Sequence, residues 1–113
     1  MEIRYKSRKL QKACLRQRKG DAEWGLIQAK KVRQRIQELR FSDCLADMFL
    51  YPGARFHALH HNREGQFAVD LQHPYRLILE PLGDPLPYRP DGGLDLTRIT
   101  AVRIIEVEDY HGK

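Results

Sequence analysis

The sequence is poor in the residues and apolar runs that mark disulfide-rich or membrane-spanning proteins. It has two cysteines, Cys14 and Cys44, which lie far apart and in no Cys-x-x-Cys pair, so we expect buried thiols and neither a disulfide framework nor a zinc knuckle. No apolar run approaches the ~20 residues that cross a bilayer. The first twenty residues are rich in cations and lack an apolar segment followed by small residues. We therefore expect no secretory signal and a cytoplasmic location.

The length and composition suit one small folded domain. The chain has 113 residues, of which 42% are hydrophobic and 31% are charged, a composition that argues against disorder. A chain of this size hides roughly two-thirds of the surface that it exposes when unfolded, which is enough for one modest core. We therefore predict a single domain over residues 1–113.

The positive charge is concentrated in the first third of the chain. Residues 1–40 hold 13 Lys or Arg against 4 acids, a net charge of +9, whereas residues 41–113 hold 7 against 11, a net charge of −4. A basic surface of this kind can bind a polyanion through phosphate contacts and counterion release. It can equally be a solvated helix face or the docking surface of an acidic partner protein.

The first forty residues contain one strand signal and two helix signals. Ile3 and Tyr5 alternate with polar neighbours, which indicates a short opening strand. Ser7 is a suitable N-cap for a helix that ends at Gly20, and Asp21 can cap a second helix. The second helix carries apolar residues at spacings of three and four, which predict one buried stripe: Leu26, Ala29, Val32, Ile36 and Leu39. Its other face is basic: Lys30, Lys31, Arg33 and Arg35.

Beyond Gly53 the pattern changes to that of strands. Four segments are rich in β-branched and aromatic residues: RFHALHH, QFAVDL, YRLILE and TRITAVRIIEVED. They predict three or four antiparallel strands, after a short helical turn within residues 42–50. Residues 84–96 hold three prolines and two glycines and are expected to form an extended hairpin loop. The predicted fold class is α+β, with two N-terminal helices packed on a small antiparallel sheet.

The segment Asp109-Tyr110-His111 brings together an acid, a phenol and an imidazole after the last apolar run. If the last strand continues, Asp109 and His111 share one side, so Asp109 could orient His111. Tyr110 would then point to the other side, and a bend after Val107 would be required to bring it to the same site. The remaining histidines are His57, His60, His61 and His73. They offer no converging metal ligands, so no metal or other cofactor is predicted.

These groups suit RNA cleavage without a metal. The 2′-hydroxyl lies next to the phosphorus that it attacks; a base removes its proton, an acid protonates the departing 5′ oxygen, and a cation stabilises the phosphorane. His57 and His111 could transfer the protons, and Arg76 could supply the cation through its planar fork. The alternative is structural, with Arg76 beside a hairpin turn and His57 on the surface of an edge strand.

Four ordered segments of the chain resemble the HigB branch of the RelE/ParE superfamily, the toxins of bacterial type II toxin–antitoxin pairs, often labelled plasmid-maintenance killer proteins. The segments are RFHALHHNREGQFAVDL, YRLILE, TAVRIIEVE and DYH, and with the two helices they span nearly the whole chain. Members of this branch are ribosome-dependent endoribonucleases that enter the aminoacyl site and cut translated messenger RNA. The resemblance implies a RelE-like microbial RNase fold, a HigA-like helix-turn-helix antitoxin as partner, and the ribosome and messenger RNA as targets.

The resemblance also implies a set of site residues in this chain. The catalytic group would be His57, Arg76, Asp109, Tyr110 and His111. Arg63 matches the arginine that precedes Glu-Gly in the family pattern. We expect further RNA contacts from His60 and from three cations of the basic helix: Lys30, Lys31 and Arg33.

Two departures from the family pattern leave other functions open. Where the family commonly has Lys-Gly-Asp or similar, this chain has the segment 60–62, His-His-Asn, and so lacks the permanent cation that this lysine places near the scissile phosphate. The loop 84–96 is also longer than the usual tight hairpin. One alternative is a ParE-like gyrase poison, although that branch lacks the catalytic histidines. Another is a non-catalytic toxin that acts only with its antitoxin as a DNA-bound corepressor, and the basic helices could be the antitoxin's landing surface.

Overall fold

Three α-helices and a five-stranded sheet form the part of the protein that the computed structural model describes, residues 1–110. The helices are α1 (Arg8–Leu15), α2 (Gln17–Trp24) and α3 (Leu26–Phe41). The strands are β1 (Glu2–Tyr5), β2 (His57–Ala58), β3 (Phe67–Asp70), β4 (Tyr75–Pro81) and β5 (Ala101–Asp109). The α+β class predicted from the sequence is confirmed.

The sheet is antiparallel except at one edge. Its strand order is β1-β5-β4-β3-β2, and β2 to β5 form the predicted antiparallel meander. β1 pairs in parallel with the start of β5, from Glu2 beside Ala101 to Tyr5 beside Ile104. The first strand in the sequence therefore lies beside the last one, a long-range pairing that local patterns did not predict.

The predicted helix boundaries at Gly20 and Asp21 were wrong. Ser7 does cap α1, because its hydroxyl accepts a hydrogen bond from the Leu10 amide at 3.1 Å. The first break, however, falls at Arg16, and the second falls at Gly25, whose φ of 81° favours glycine. Three helices therefore replace the expected two.

Gly20 lies inside α2 and permits its close packing against α1. A Cβ atom at this position would lie 2.5 Å from the backbone oxygen of Ala13. The glycine thus has a packing function in mid-helix, and the sequence signal that resembled a helix end was misleading.

The core lies between α3 and one face of the sheet. The predicted stripe of α3 is buried at Ala29, Val32, Ile36 and Leu39, whereas its first member, Leu26, is 71% exposed. The facing sheet residues include Leu77, Leu79, Val102 and Ile104.

Cys14 is buried as predicted, and burial raises the pKa of its thiol to about 12. Cys44 is only partly buried; both are free thiols.

Arg35 does not belong to the exposed basic face of α3. Its guanidinium is buried and donates to the backbone oxygens of Asp70 at 2.6 Å and Gly53 at 2.7 Å, and to both carboxylate oxygens of Glu38 at 3.0 Å. A buried cation with these partners ties α3 to the end of β3.

The opposite face of the sheet carries a smaller apolar cluster and a polar end. Leu59, Ala68 and Ile78 are buried there with Ile105 packed against them. Residues 82–100 connect β4 to β5 and contain the predicted loop, residues 84–96. No helix within residues 1–110 is long and apolar enough to cross a membrane.

Candidate active site

A groove of about 640 Å³ lies on the sheet face that points away from the helices. Its position follows from strand alternation: Leu77 points into the helix-side core, so Arg76 points to the other face. His57 pairs with the buried Ala68 of the smaller cluster. The groove brings together five residues of the predicted site or its surroundings: His57, His60, Arg63, Arg76 and Tyr110.

Arg76 is fixed across the β4–β5 pair by Glu108. The two residues are register partners, and the Arg76 Nε donates to the Glu108 carboxylate at 2.6 Å. Their side chains are only 12% and 15% exposed. A charge at this depth needs a partner, and each side chain supplies the other with one.

Arg63 reaches the same carboxylate from the short turn His61–Arg63. Its Nη2 donates to Glu108 at 2.8 Å and to Glu106 at 2.7 Å. Burial favours the neutral form of Glu108, but the hydrogen bonds and charges of Arg76 and Arg63 outweigh burial and lower the pKa of this carboxyl below its ordinary value. Glu108 is therefore an anion that positions two guanidinium groups.

Tyr110 covers the Arg76 guanidinium. The ring centroid of Tyr110 lies 3.9 Å from the Arg76 Cζ atom, a cation–π contact. Its backbone amide donates to the Pro74 carbonyl at 3.0 Å, which holds the chain just after β5. Tyr110 thus lies in the groove, against Arg76.

β5 does not make the bend after Val107 that would bring Tyr110 and Asp109 to one side. β5 continues to Asp109, and Tyr110 lies two residues beyond Glu108, on the face that carries the groove. Asp109 pairs with Tyr75, so alternation directs its side chain to the other face. Among the residues that the structure describes, Asp109 does not line the groove. His111 lies outside the described residues.

The backbone of Arg55 orients the His57 imidazole. The His57 Nδ1 lies 2.7 Å from the Arg55 carbonyl oxygen. Because a carbonyl can only accept, Nδ1 carries the proton, and in the neutral ring Nε2 then carries the lone pair. The Arg55 guanidinium itself donates to the Asp70 carboxylate at 2.8 and 3.2 Å. His57 is thus held in the tautomer that can take up a proton at Nε2.

The predicted RNA-binding cations of α3 are separated from the groove by the sheet. α3 packs on the helix-side face, and Lys30, Lys31 and Arg33 are not among the described residues that line the groove. Arg33 donates to Asp21 at 3.4 Å. The structure therefore brings His60 and Arg63 to the groove and leaves the α3 cations on another surface.

Glu108 is the site residue that the sequence analysis missed. The signal that points to it is the register of the β4–β5 hairpin, in which an arginine of YRLILE lies opposite a glutamate of EVED. The 84–96 loop hides that register in the sequence because its length separates the two strands. Within residues 1–110, no group of three or more His, Cys, Asp or Glu side chains is arranged to hold a metal ion.

Comparisons with known proteins do not assign the chain to a family. No protein-family model matches it, and a search of curated proteins also found no match.

Proposed function

We propose that this protein is the toxin of a type II toxin–antitoxin pair, a ribosome-dependent endoribonuclease of the HigB type that acts in the cytoplasm. The observation that carries the proposal is the anchored Arg76, which Glu108 and Tyr110 hold in the groove that His57 also lines. A guanidinium and an imidazole that line one groove can supply the cation and one of the proton transfers of metal-free RNA cleavage. The proposed partner is a HigA-like helix-turn-helix antitoxin that keeps the toxin inactive.

In the proposed reaction, His57 accepts the proton of the 2′-hydroxyl at Nε2. The 2′ oxygen then forms a bond to phosphorus, and the bond from phosphorus to the 5′ oxygen breaks, which leaves a 2′,3′-cyclic phosphate. The departing 5′ oxygen takes a proton from a general acid, for which we propose His111, outside the described residues.

Arg76 would stabilise the charge of the phosphorane. Glu108 occupies the Nε edge of the guanidinium, so the terminal Nη atoms are the donors for the phosphate oxygens. Glu108 itself is a poor base, because its lowered pKa and its bonds to two arginines favour the anion. Its proposed role is to position both guanidinium groups. His60 and Arg63 would bind the RNA beside the scissile phosphate.

One observation favours a non-catalytic toxin as the second candidate. The groove arginines, Arg63 and Arg76, are paired internally with Glu106 and Glu108, which reduces their attraction for phosphate. In that case the protein would act only in complex with its antitoxin, as a DNA-bound corepressor.

The test is brief induction of the toxin in cells, followed by mapping of messenger RNA 5′ ends. We expect new ends within translated codons for the wild type. His57→Ala should lower their yield roughly 10²–10⁴-fold, the usual loss when a proton-transfer residue is removed. His73→Ala is the matched control, because His73 is exposed and is not among the described groove residues. His111→Ala should abolish toxicity and leave folding and antitoxin binding intact.

Other outcomes would replace the proposal. Growth arrest with intact messenger RNA and damaged DNA would indicate a ParE-like gyrase poison. Undiminished cleavage by His57→Ala or His111→Ala would remove these histidines from the mechanism. Absence of both cleavage and DNA damage, with retained operator binding, would indicate the non-catalytic role.

A further inference from the structure

Five exposed cations line the hollows beside α1 and α2, and we call them the α1–α2 track: Arg8, Lys9, Lys12, Arg16 and Lys19. None of the five forms an ion pair with any residue of the described chain, 1–110. The groove arginines, by contrast, are paired with carboxylates. The cations of the track therefore remain available to an external anion.

These cations line two adjoining hollows. The first, of about 500 Å³, lies between α1 and α2 and is lined by four cations: Arg8, Lys9, Lys12 and Lys19. The second, of about 370 Å³, runs along α1 to Arg16 and shares Arg8 and Lys12 with the first. The two hollows therefore adjoin at Arg8 and Lys12.

A third hollow lies between the α1–α2 track and the groove. It has a volume of about 250 Å³ and is lined by Lys9 and Glu23 on the helix side and by residues 105–107 of β5 on the sheet side. One of these, Glu106, accepts a hydrogen bond from Arg63, which lines the groove. β1 pairs with β5 only as far as Ile104, which leaves the following edge of β5 for this passage. Every step from the groove to the α1–α2 track is thus joined by shared or bonded residues.

We infer that the α1–α2 track binds the RNA backbone that flanks the segment held in the groove, an inference that rests on the proposed function for the identity of the ligand. A line of unpaired cations fits the repeated phosphates of a single strand. An acidic protein fits less well, because lysine is depleted at protein–protein interfaces and three of the five cations are lysines. Two carboxylates, Glu23 and Glu106, lie in the path and oppose RNA binding there.

The experiment measures binding of fluorescent 2′-O-methyl RNA by anisotropy at several salt concentrations. The methyl group blocks the attacking hydroxyl, so binding is measured without cleavage. A short oligonucleotide of about 4 nucleotides occupies the groove alone, whereas one of about 16 also reaches the track. The variant Lys9→Ala/Lys12→Ala is compared with Arg89→Ala/Arg98→Ala, a control with the same loss of charge at exposed positions elsewhere.

For the long oligonucleotide, each lost phosphate contact should reduce the slope of log K against log salt by about 0.7. The track variant should therefore lose about 1.4 from the slope for two contacts, and the control should lose none. The short oligonucleotide should bind both variants alike. Glu23→Gln should tighten binding of the long oligonucleotide, because it removes an opposing charge.

An unchanged slope in the track variant, or an equal loss in the control, would overturn the inference. RNA binding that stays intact while antitoxin binding weakens would also overturn it and assign the surface to an acidic protein. Far-UV circular dichroism checks that each variant folds. Failure of the nuclease proposal would appear separately, as the absence of new messenger RNA 5′ ends after induction of the wild type, since the binding assay involves no cleavage.

Discussion

At the scale of single residues, Glu108 determines the geometry of the candidate site. One carboxylate accepts hydrogen bonds from Arg76 and from Arg63, and it is largely buried with them. Removing its charge leaves two guanidinium groups close together without their shared anion. Such a change acts on stability as well as on the position of Arg76.

Glu108→Gln should lower the free energy of unfolding at neutral pH by about 1.5–3 kcal/mol, the range for hydrogen bonds to charged groups. The effect should depend on pH. Because the folded protein lowers the pKa of Glu108 below its ordinary 4.5, the unfolded chain binds the proton more readily as the pH falls. The stabilisation by Glu108 is thus fully present at pH values above its ordinary pKa. It is lost as the pH falls through the lowered pKa of the folded protein.

Urea unfolding at a series of acidic pH values measures this dependence. The wild type should lose stability more steeply than Glu108→Gln as the pH falls below 4.5. Glu64→Gln, at an exposed position, is the control and should retain the wild-type slope. If the free energy of unfolding fell equally steeply with pH in wild type and Glu108→Gln, Glu108 would not be the source of the pH dependence.

At the scale of elements, the contact between α1 and α2 depends on the absence of a side chain at Gly20. Glycine in mid-helix ordinarily destabilises by roughly 0.5–1 kcal/mol relative to alanine. Here a Cβ atom would lie 2.5 Å from the Ala13 backbone oxygen and 3.5 Å from the Ala29 Cβ. Because a backbone oxygen cannot move without moving the helix, the steric cost should exceed the gain in helix propensity.

We therefore expect Gly20→Ala to destabilise the protein by about 1–3 kcal/mol, the usual cost of overpacking. Chemical denaturation measures the change. Ala22→Gly, on the exposed side of the same helix, is the control for helix propensity alone and should cost about 0.5–1 kcal/mol. A Gly20→Ala variant more stable than the wild type would show that α1 and α2 separate easily.

At the scale of the whole molecule, both ends of the described chain contribute to one sheet. β1 pairs with β5, and residues from all three helices pack against one face of that sheet. Trp24, the single tryptophan, lies on α2 and packs against the same core. Unfolding of the helices should therefore expose the sheet core, and the two should unfold together.

We expect the fluorescence of Trp24 and far-UV circular dichroism to report one coincident urea transition. Leu79→Ala, at a fully buried position of β4, should shift both signals together and cost about 2–5 kcal/mol. Leu50→Ala is the control, because Leu50 is 76% exposed and its loss should change stability by no more than about 0.5 kcal/mol. A Trp24 transition at lower urea than the circular dichroism transition would show that the helices unfold separately.

Local patterns predicted the elements better than their ends. The apolar stripe of α3 and the strands after Gly53 were predicted because their periodicities of 3.6 and 2 are properties of neighbouring residues. Gly20 and Arg35 were misassigned, because a close helix contact and a buried cation depend on residues distant in the sequence. The same limit explains why β1 was predicted as a strand but not as the partner of β5.

The candidate site also combines features that neighbouring residues predict with features that depend on distant residues. Residue type alone made His57, Arg76 and Tyr110 candidates, because it decides what a side chain can donate, accept or stabilise. Alternation along the last strand separates Tyr110 from Asp109, but the β4–β5 register is what places Arg76 on the face of Glu108 and Tyr110 and not on that of Asp109. Register is a property of two strands, and here a long loop separates them.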